Sequence, residues 1–452
     1  MHIVIGGEDE VAYRLAEELM EEHAVVLICP EEKTGPQTDR LDVEVVEGSI
    51  TSGEVLTQAR AGDADFFIAC SETDEENLVA SVLVKKMGAK RTICFLSRPG
   101  FERRLGADSS LAEIFDIDQV IRPAEQLGQE ILRIMMVPGA LDVEAFEGGR
   151  VRLLRHAIED GARITSAPLR DLAIPLGVVL VMARRGDEIF LPRGDTQLEP
   201  GDKVTVMGTL AGINRLLFGF LRGTETARPS RQATIVGGGT VGTTVALGLE
   251  EAGWSVKIIE TDRERCEEIS ALLDKSLVLH GDGADIDLLE QEQIGEDSVL
   301  VVVTSNDEKN LLVSLLAKSM GVPRILTRAT TQANERLFER VGIDVVRSAR
   351  GAAIQTVLRA VVQGKSTLLA ELEHGEAMVL ELRVPKAIEP IPIQSMRGPR
   401  SAIIGAILRG RRVIVPHGGD EVQAEDRLLV FCLERDHEQV AEYFQTHIAK
   451  ER

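Results

Sequence analysis

The segment Ala233-Thr234-Ile235-Val236-Gly237-Gly238-Gly239-Thr240-Val241-Gly242 carries a short β-branched run into glycines spaced G-x-G-x-x-G, and a helical pattern follows. Each glycine has a distinct use. Gly237 allows a tight turn, Gly239 lets a backbone approach a pyrophosphate, and Gly242 lets a helix pack against a strand. The start of the helix, with Thr240 and Val241, then offers free N–H groups and partial positive charge to phosphates. Eighteen residues beyond Gly242 the next apolar run ends in Glu260, where a carboxylate can accept from ribose hydroxyls. No arginine replaces it, and a 2′-phosphate would meet negative charge. The pattern therefore favours NAD(H) or an adenine nucleotide over NADP(H).

Further candidates fall where later strands end. Asp282, in His280-Gly281-Asp282-Gly283, could accept from a base or ribose, or cap the next helix. Thr304 and Ser305 could touch a ligand or cap a helix, and Arg328 could reach a phosphate. No residue set has the spacing of a catalytic group or a metal site. His280, His374 and His417 are scattered, which weighs against an NAD-dependent oxidoreductase, the rival reading that the glycine loop would permit.

These residues require a parallel sheet to hold them. Apolar runs at 233–236, 256–259, 277–279, 299–303, 324–326 and 344–346 have helical patterns between most of them, the rhythm of a doubly wound α/β fold. The chain also repeats itself. Cys70-Ser71-Glu72-Thr73-Asp74-Glu75-Glu76-Asn77-Leu78 parallels Thr304-Ser305-Asn306-Asp307-Glu308-Lys309-Asn310-Leu311, and Leu191-Pro192-Arg193-Gly194 with Leu198 and Asp202 parallels Val415-Pro416-His417-Gly418 with Val422 and Asp426.

Past residue 137, and again past 364, the rhythm changes to strands with Pro/Gly turns, such as 177–185 with 188–191 and 402–408 with 411–415. The expected plan is two tandem Rossmann-like domains, 1–136 and 232–363, each followed by a small α+β domain, 137–221 and 364–452, with a linker at 222–231.

The first repeat departs from the second. Its loop reads Gly6-Gly7-Glu8-Asp9-Glu10-Val11, which sets Glu8 and Val11 opposite the second and third glycines if Gly6 matches Gly237. Its second apolar run ends Ile28-Cys29-Pro30 without the ribose acid, and Cys70 stands opposite Thr304. Dinucleotide binding is expected to be lost there. Cys29 and Cys70 near that crevice raise a redox role, against the commoner one of small buried residues.

A net charge of −22 argues against nucleic-acid partners and against docking on anionic lipid. The five cysteines, Cys29, Cys70, Cys94, Cys266 and Cys432, have neither CxxC nor metal-ligand spacing, which suits a reducing compartment. Met1–Gly6 reads as a strand rather than a leader. The longest apolar stretch, near 174–183, falls far short of the roughly 20 residues a membrane span needs. A cytoplasmic location is expected, with any membrane role exercised through a partner.

The duplicated plan resembles the regulator of potassium conductance (RCK, or KTN) proteins, and within them the TrkA family. Asp118-Gln119-Val120-Ile121-Arg122-Pro123, Gln126-Leu127, Val137-Pro138-Gly139-Ala140-Leu141 and Ile404-Gly405-Ala406-Ile407-Leu408-Arg409-Gly410 carry the likeness. The resemblance implies a peripheral regulatory subunit, usually a tetramer, on the cytoplasmic face of a membrane-embedded Trk-type potassium channel subunit, binding NAD(H) or ATP/ADP. It places Gly238 to Gly242, Glu260, Thr304, Ser305 and Arg328 at nucleotide-contact positions. A nucleotide-binding scaffold for some other transporter remains a third reading.

Overall fold

The computed structural model describes residues 1–33, 38–98, 111–223, 231–297, 299–361, 366–372, 375–386, 388–396, 398–399, 401–410, 412–444 and 448. Most of the expected linker (224–230), together with His374 and Arg411, lies outside them.

Strands β1 (His2–Gly6), β2 (Ala24–Cys29), β3 (Glu44–Glu47), β4 (Phe66–Ala69), β5 (Arg91–Phe95) and β6 (Gln119–Ile121) alternate with helices α1 (Glu10–Met20), α2 (Gly53–Gln58), α3 (Asp74–Met87), α4 (Leu111–Phe115) and α5 (Pro123–Met135). The sheet is parallel, in the order β3-β2-β1-β4-β5-β6. A small antiparallel sheet follows, made of β7 (Ala140–Phe146), β8 (Val151–Ala157), β9 (Val178–Arg185), β10 (Glu188–Phe190) and β11 (Lys203–Gly208), with α6 (Leu210–Leu216) after it.

The pattern then repeats. Strands β12 (Gln232–Val236), β13 (Ser255–Glu260), β14 (Leu277–His280), β15 (Val299–Val302), β16 (Ile325–Arg328) and β17 (Val345–Arg347) take the order β14-β13-β12-β15-β16-β17, again parallel. Between and after them run α7 (Thr240–Glu251), α8 (Arg263–Ser270), α9 (Ile286–Gln291), α10 (Asp307–Ser319), α11 (Gln332–Arg340) and α12 (Ala349–Val361). The last sheet contains β18 (Ser366–Leu372), β19 (Ala377–Arg383), β21 (Ala402–Arg409), β22 (Arg412–Ile414) and β24 (Arg427–Leu433), beside a two-stranded ribbon of β20 (Ile391–Pro392) and β23 (Glu421–Val422). In both large sheets the strand order reverses at the first strand, which opens a crevice at the carboxyl ends of the strands.

Like parts gather in pairs. One compact unit holds residues 1–131 with 232–361, and the other holds 132–231 with 362–452. In the first unit a helix of the second repeat completes the core of the first sheet. Ala353, Ile354, Val357, Leu358 and Val361 form an apolar stripe on α12 at helical spacing and pack with Val11, Leu15 and Leu19 of α1 over the first sheet. Reciprocally, α5 lies so close to α7 that a methyl on Gly128 would come within 2.8 Å of Thr244. Arg347 Nε donates to Glu130 across this junction at 2.7 Å, with both side chains largely buried, and Arg350 donates to Glu10 at 2.9 Å.

The second unit shows why the 198/202 and 422/426 pairs recur. Asp202 accepts a fork of two bonds from Arg185 (2.8 and 2.7 Å) and one from the Glu199 N–H. Asp426 does the same with Arg409 (2.9 and 2.8 Å) and Gln423. Leu198 and Val422 are buried beside them. The paired carboxylates are fold anchors, since a buried acid is tolerated when its lone pairs are filled.

Candidate nucleotide site in the second sheet

The loop between β12 and α7 has the backbone its glycines imply. Gly237 has φ +109°, and a methyl there would lie 3.0 Å from the Thr304 N and Val303 carbonyl, so the loop runs tight against the end of β15. A methyl on Gly242 would meet the Gly237 carbonyl. Gly239 is different: it is the cap residue of α7, no side chain caps that helix, and a methyl on it would meet open space. Uncapped N–H groups at the start of α7 thus face room for an anion.

Glu260 is held ready beside this loop. Its Oε2 accepts from the Gly238 N–H at 2.6 Å, and Oε1 accepts from the N–H groups of Thr261 (2.7 Å) and Asp262 (2.9 Å). Burial pushes its carboxyl upward, but the hydrogen bonds from Asp262, Gly238 and Thr261 outweigh it and hold the group below the usual carboxylate range. Arg265 braces the far side, donating from Nε to the Gly238 carbonyl at 2.8 Å.

At the end of β15, the Thr304 hydroxyl donates to Asn310 Oδ1 at 2.6 Å. Asn310 is fully buried and its Nδ2 donates to the carbonyls of Thr304 and Arg328, pinning β15 to β16. The Arg328 Nε is buried without a hydrogen-bond partner, and burial pushes its guanidinium pKa down against the pull of Asp307. Asp282 accepts from the Ala284 N–H at 2.8 Å and from Lys309 Nζ at 2.7 Å.

A cavity of about 380 Å³ joins these groups, within the roughly 300–1,000 Å³ of small-molecule sites. Of the residues singled out from sequence, Gly237, Gly239, Glu260, Thr304, Ser305 and Arg328 line it; Gly238, Thr240, Val241, Gly242 and Asp282 are not among its lining residues. Thr261, Asn306 and Lys309 also line it and were not singled out. Lys309 had a visible signal, since it opposes Glu76 in the repeat.

The first sheet corrects the repeat register by one residue. The Gly7 N–H donates to Ile28 O as the Gly237 N–H donates to Ile259 O (3.0 and 2.9 Å), so Gly7 and not Gly6 matches Gly237. Glu8, Asp9 and Ala12 therefore stand opposite Gly238, Gly239 and Gly242. Likewise Ser71, not Cys70, matches Thr304, because the Ser71 N–H donates to Asn77 Oδ1 as the Thr304 N–H donates to Asn310 Oδ1.

Asp9 caps α1, accepting from the N–H groups of Val11 (2.9 Å) and Ala12 (3.2 Å). The chain's own carboxylate takes the donors that α7 leaves free. Cys29 opposes Glu260, and Phe95 opposes Arg328, since Asn77 Nδ2 donates to Phe95 O as Asn310 Nδ2 does to Arg328 O. Cys29 and Cys70 are buried, and burial pushes both thiols up, which disfavours the reactive thiolate.

Residues 3–123 and 233–349 both match the TrkA-N domain family, and residues 153–217 match the TrkA-C domain family. A Trk system potassium uptake protein TrkA homolog of Archaeoglobus fulgidus is 34% identical over 450 residues, covering 98% of this chain and 100% of that one. The chain belongs to the TrkA family. Further TrkA relatives include homolog 1 of Methanosarcina mazei (32% identical, 98% and 100% covered) and the TrkA of Halomonas elongata (31%, 96% and 96%).

Among solved structures, the GsuK RCK domain aligns with a TM-score of 0.59 at 20% identity, covering 97% of this chain and 94% of that one. The GsuK channel bound to NAD aligns with 0.59 at 19% identity, covering 97% and 78%. At those identities the likeness is one of fold, and it places both TrkA-N segments on RCK-type Rossmann sheets. Among the described residues no helix is long and apolar enough to cross a membrane.

Proposed function

We propose that this chain is a nucleotide-sensing regulatory subunit of a Trk-type potassium uptake system, with NAD(H) or ATP/ADP as the regulatory ligand of the second large sheet. The observation that carries this is the contrast between two copies of one loop. In the second copy an uncapped helix start, the open space at Gly239, the Glu260 carboxylate and the Arg328 guanidinium meet in one cavity. In the first, Asp9 fills the helix start and the ribose acid and the arginine are gone.

A bound nucleotide would set its phosphates on the N–H groups of Thr240, Val241 and Gly242, its ribose on Glu260, and further phosphate charge on Arg328. The titratable groups that line the cavity are Glu260, Lys309 and Arg328; Glu260 is tied by backbone N–H groups and Lys309 by Asp282, an arrangement that suits holding a ligand. In this reading its role is to bind and report rather than to catalyse. Of the large-sheet parts, 232–363 carries the sensing and 1–136 is its degenerate copy, and the small parts, 137–221 and 364–452, complete each repeat.

The names of the relatives, Trk system potassium uptake proteins, support a Trk-type potassium uptake system as partner. In this reading the chain acts as a homo-oligomer, a tetramer, on the cytoplasmic face of the membrane-embedded subunit. Nucleotide acts by binding one arrangement of that assembly more tightly than another, and shifts gating by that difference in affinity. The test is potassium current through the Trk-type membrane subunit with this chain present, in ATP, ADP, NADH and no nucleotide. Distinct currents are expected; four identical currents would overturn nucleotide control.

A further inference from the structure

Lys309 is placed where helix electrostatics oppose it. It is the third residue of α10 past the cap Asn306, whose Oδ1 accepts the Lys309 N–H at 2.6 Å. The first turn of a helix favours acids and repels cations. The first repeat obeys that rule, with Glu76 opposite Lys309 in a turn that keeps Asp74 and Asn77 opposite Asp307 and Asn310. The two halves of one chain thus form an internal comparison: the lysine accompanies the glycine cradle, and the acid accompanies its loss.

Lys309 lines the cavity, and its ammonium donates to Asp282 at 2.7 Å. Asp282 follows β14 and α10 follows β15, so the ion pair spans the ends of β13 and β12, the strands that carry Glu260 and the glycine loop. The first repeat lacks both partners. Its Gly48 N–H donates to Cys29 O as the Gly281 N–H donates to Glu260 O, which sets Ser49 opposite Asp282. The pair is also easy to exchange, with side chains 27% and 54% exposed, and such pairs are weakly held. Glu260, by contrast, is tied by backbone N–H groups.

We infer that Lys309 reads phosphate charge: the phosphates of a bound nucleotide compete with Asp282 for its ammonium, and the pocket thereby ranks nucleotides by charge, ATP above ADP above NADH. This rests on the cavity being a nucleotide site. Lysine suits the role because its ammonium is a point charge on a flexible stem that can leave one oxygen for another. Asp282 is the resident counterion that keeps the ammonium over the crevice.

The test is calorimetric titration of the full-length chain, wild type, Lys309→Met and Asp282→Asn, with ATP, ADP and NADH. Lys309→Met is expected to weaken ATP about tenfold, the scale of one charge-assisted hydrogen bond, and NADH far less. Asp282→Asn is expected to widen the ATP-to-NADH ratio, because the ammonium is no longer shared. If both variants shift all three nucleotides equally and in the same direction, the pair is only a clasp and the inference fails. A wild type that binds nucleotide, with a ratio unchanged in both variants, also overturns it while leaving the nucleotide reading intact. A wild type that binds none of the three overturns both. Unfolding curves that match wild type confirm that these substitutions leave the fold in place.

Discussion

Gly239→Asp copies into the second repeat the residue that stands at the same place in the first. The backbone accepts it: Gly239 has φ −66° and ψ −173°, extended like Asp9 at φ −112° and ψ 180°, and a methyl there meets nothing within 4 Å. The new carboxylate would accept from the free N–H groups of α7, as Asp9 does for α1, and an acid cap in place of glycine adds a few tenths of a kcal/mol of helix stability. For a ligand the sign is opposite. A carboxylate about 4 Å from a phosphate charge, at an effective dielectric near 20, costs about 4 kcal/mol. Physiological salt and an outward turn of the side chain reduce that to about 2 kcal/mol. At 1.4 kcal/mol per tenfold, nucleotide affinity should fall between about 30-fold and about 1,000-fold. Calorimetry with ATP and NADH, run beside thermal unfolding, measures both effects. Weakened binding with an equal or higher melting temperature is expected. Binding within threefold of wild type would refute the reasoning that the uncapped start of α7 holds phosphate.

Leu358→Ala, in the α12 stripe over the first sheet, should cost about 2–4 kcal/mol by urea unfolding, because Leu358 is 3% exposed and packed in the core. Glu250 accepts from the Ser276 hydroxyl and from the N–H groups of Asp274, Lys275 and Ser276, which lowers its carboxyl to about 2. A depressed folded value means the contribution is complete above the ordinary 4.5 and is lost as pH falls toward 2; Glu250→Gln should flatten the stability curve across that window. All five cysteines are buried, so brief maleimide treatment of the folded chain at pH 7 should label none of them by intact mass. Rapid labelling of Cys29 or Cys70 would revive a redox role.

Much of the second sheet was readable because local chemistry and fold agree there. The β-branched runs became strands within one or two residues of their expected ends, and Gly237 and Gly242 each meet the close backbone approach their spacing implied. The first loop was misread by one residue because Gly6-Gly7 offers two starting points, and only the strand hydrogen bond from the Gly7 N–H decides between them. That shift matters chemically: it moves Asp9 from a place beside the loop to the helix cap itself. The exchange of α5 and α12 between the large sheets was not readable, because a stripe such as Ala353, Val357 and Val361 announces that a face is buried but not against what. The Lys309–Asp282 pair was hidden for a similar reason, since its partners lie on separate crossovers and meet only when the strand order brings their ends together.

Stoichiometry tests the contrast between the two loops most directly. Titration of the full-length chain with ATP, and separately with NADH, should saturate at one nucleotide per chain, and Glu260→Gln should weaken that single event. Two equivalents per chain would show that Asp9 does not close the first crevice. No binding at all would show that the cavity at Gly239, Glu260 and Arg328 is not a nucleotide site.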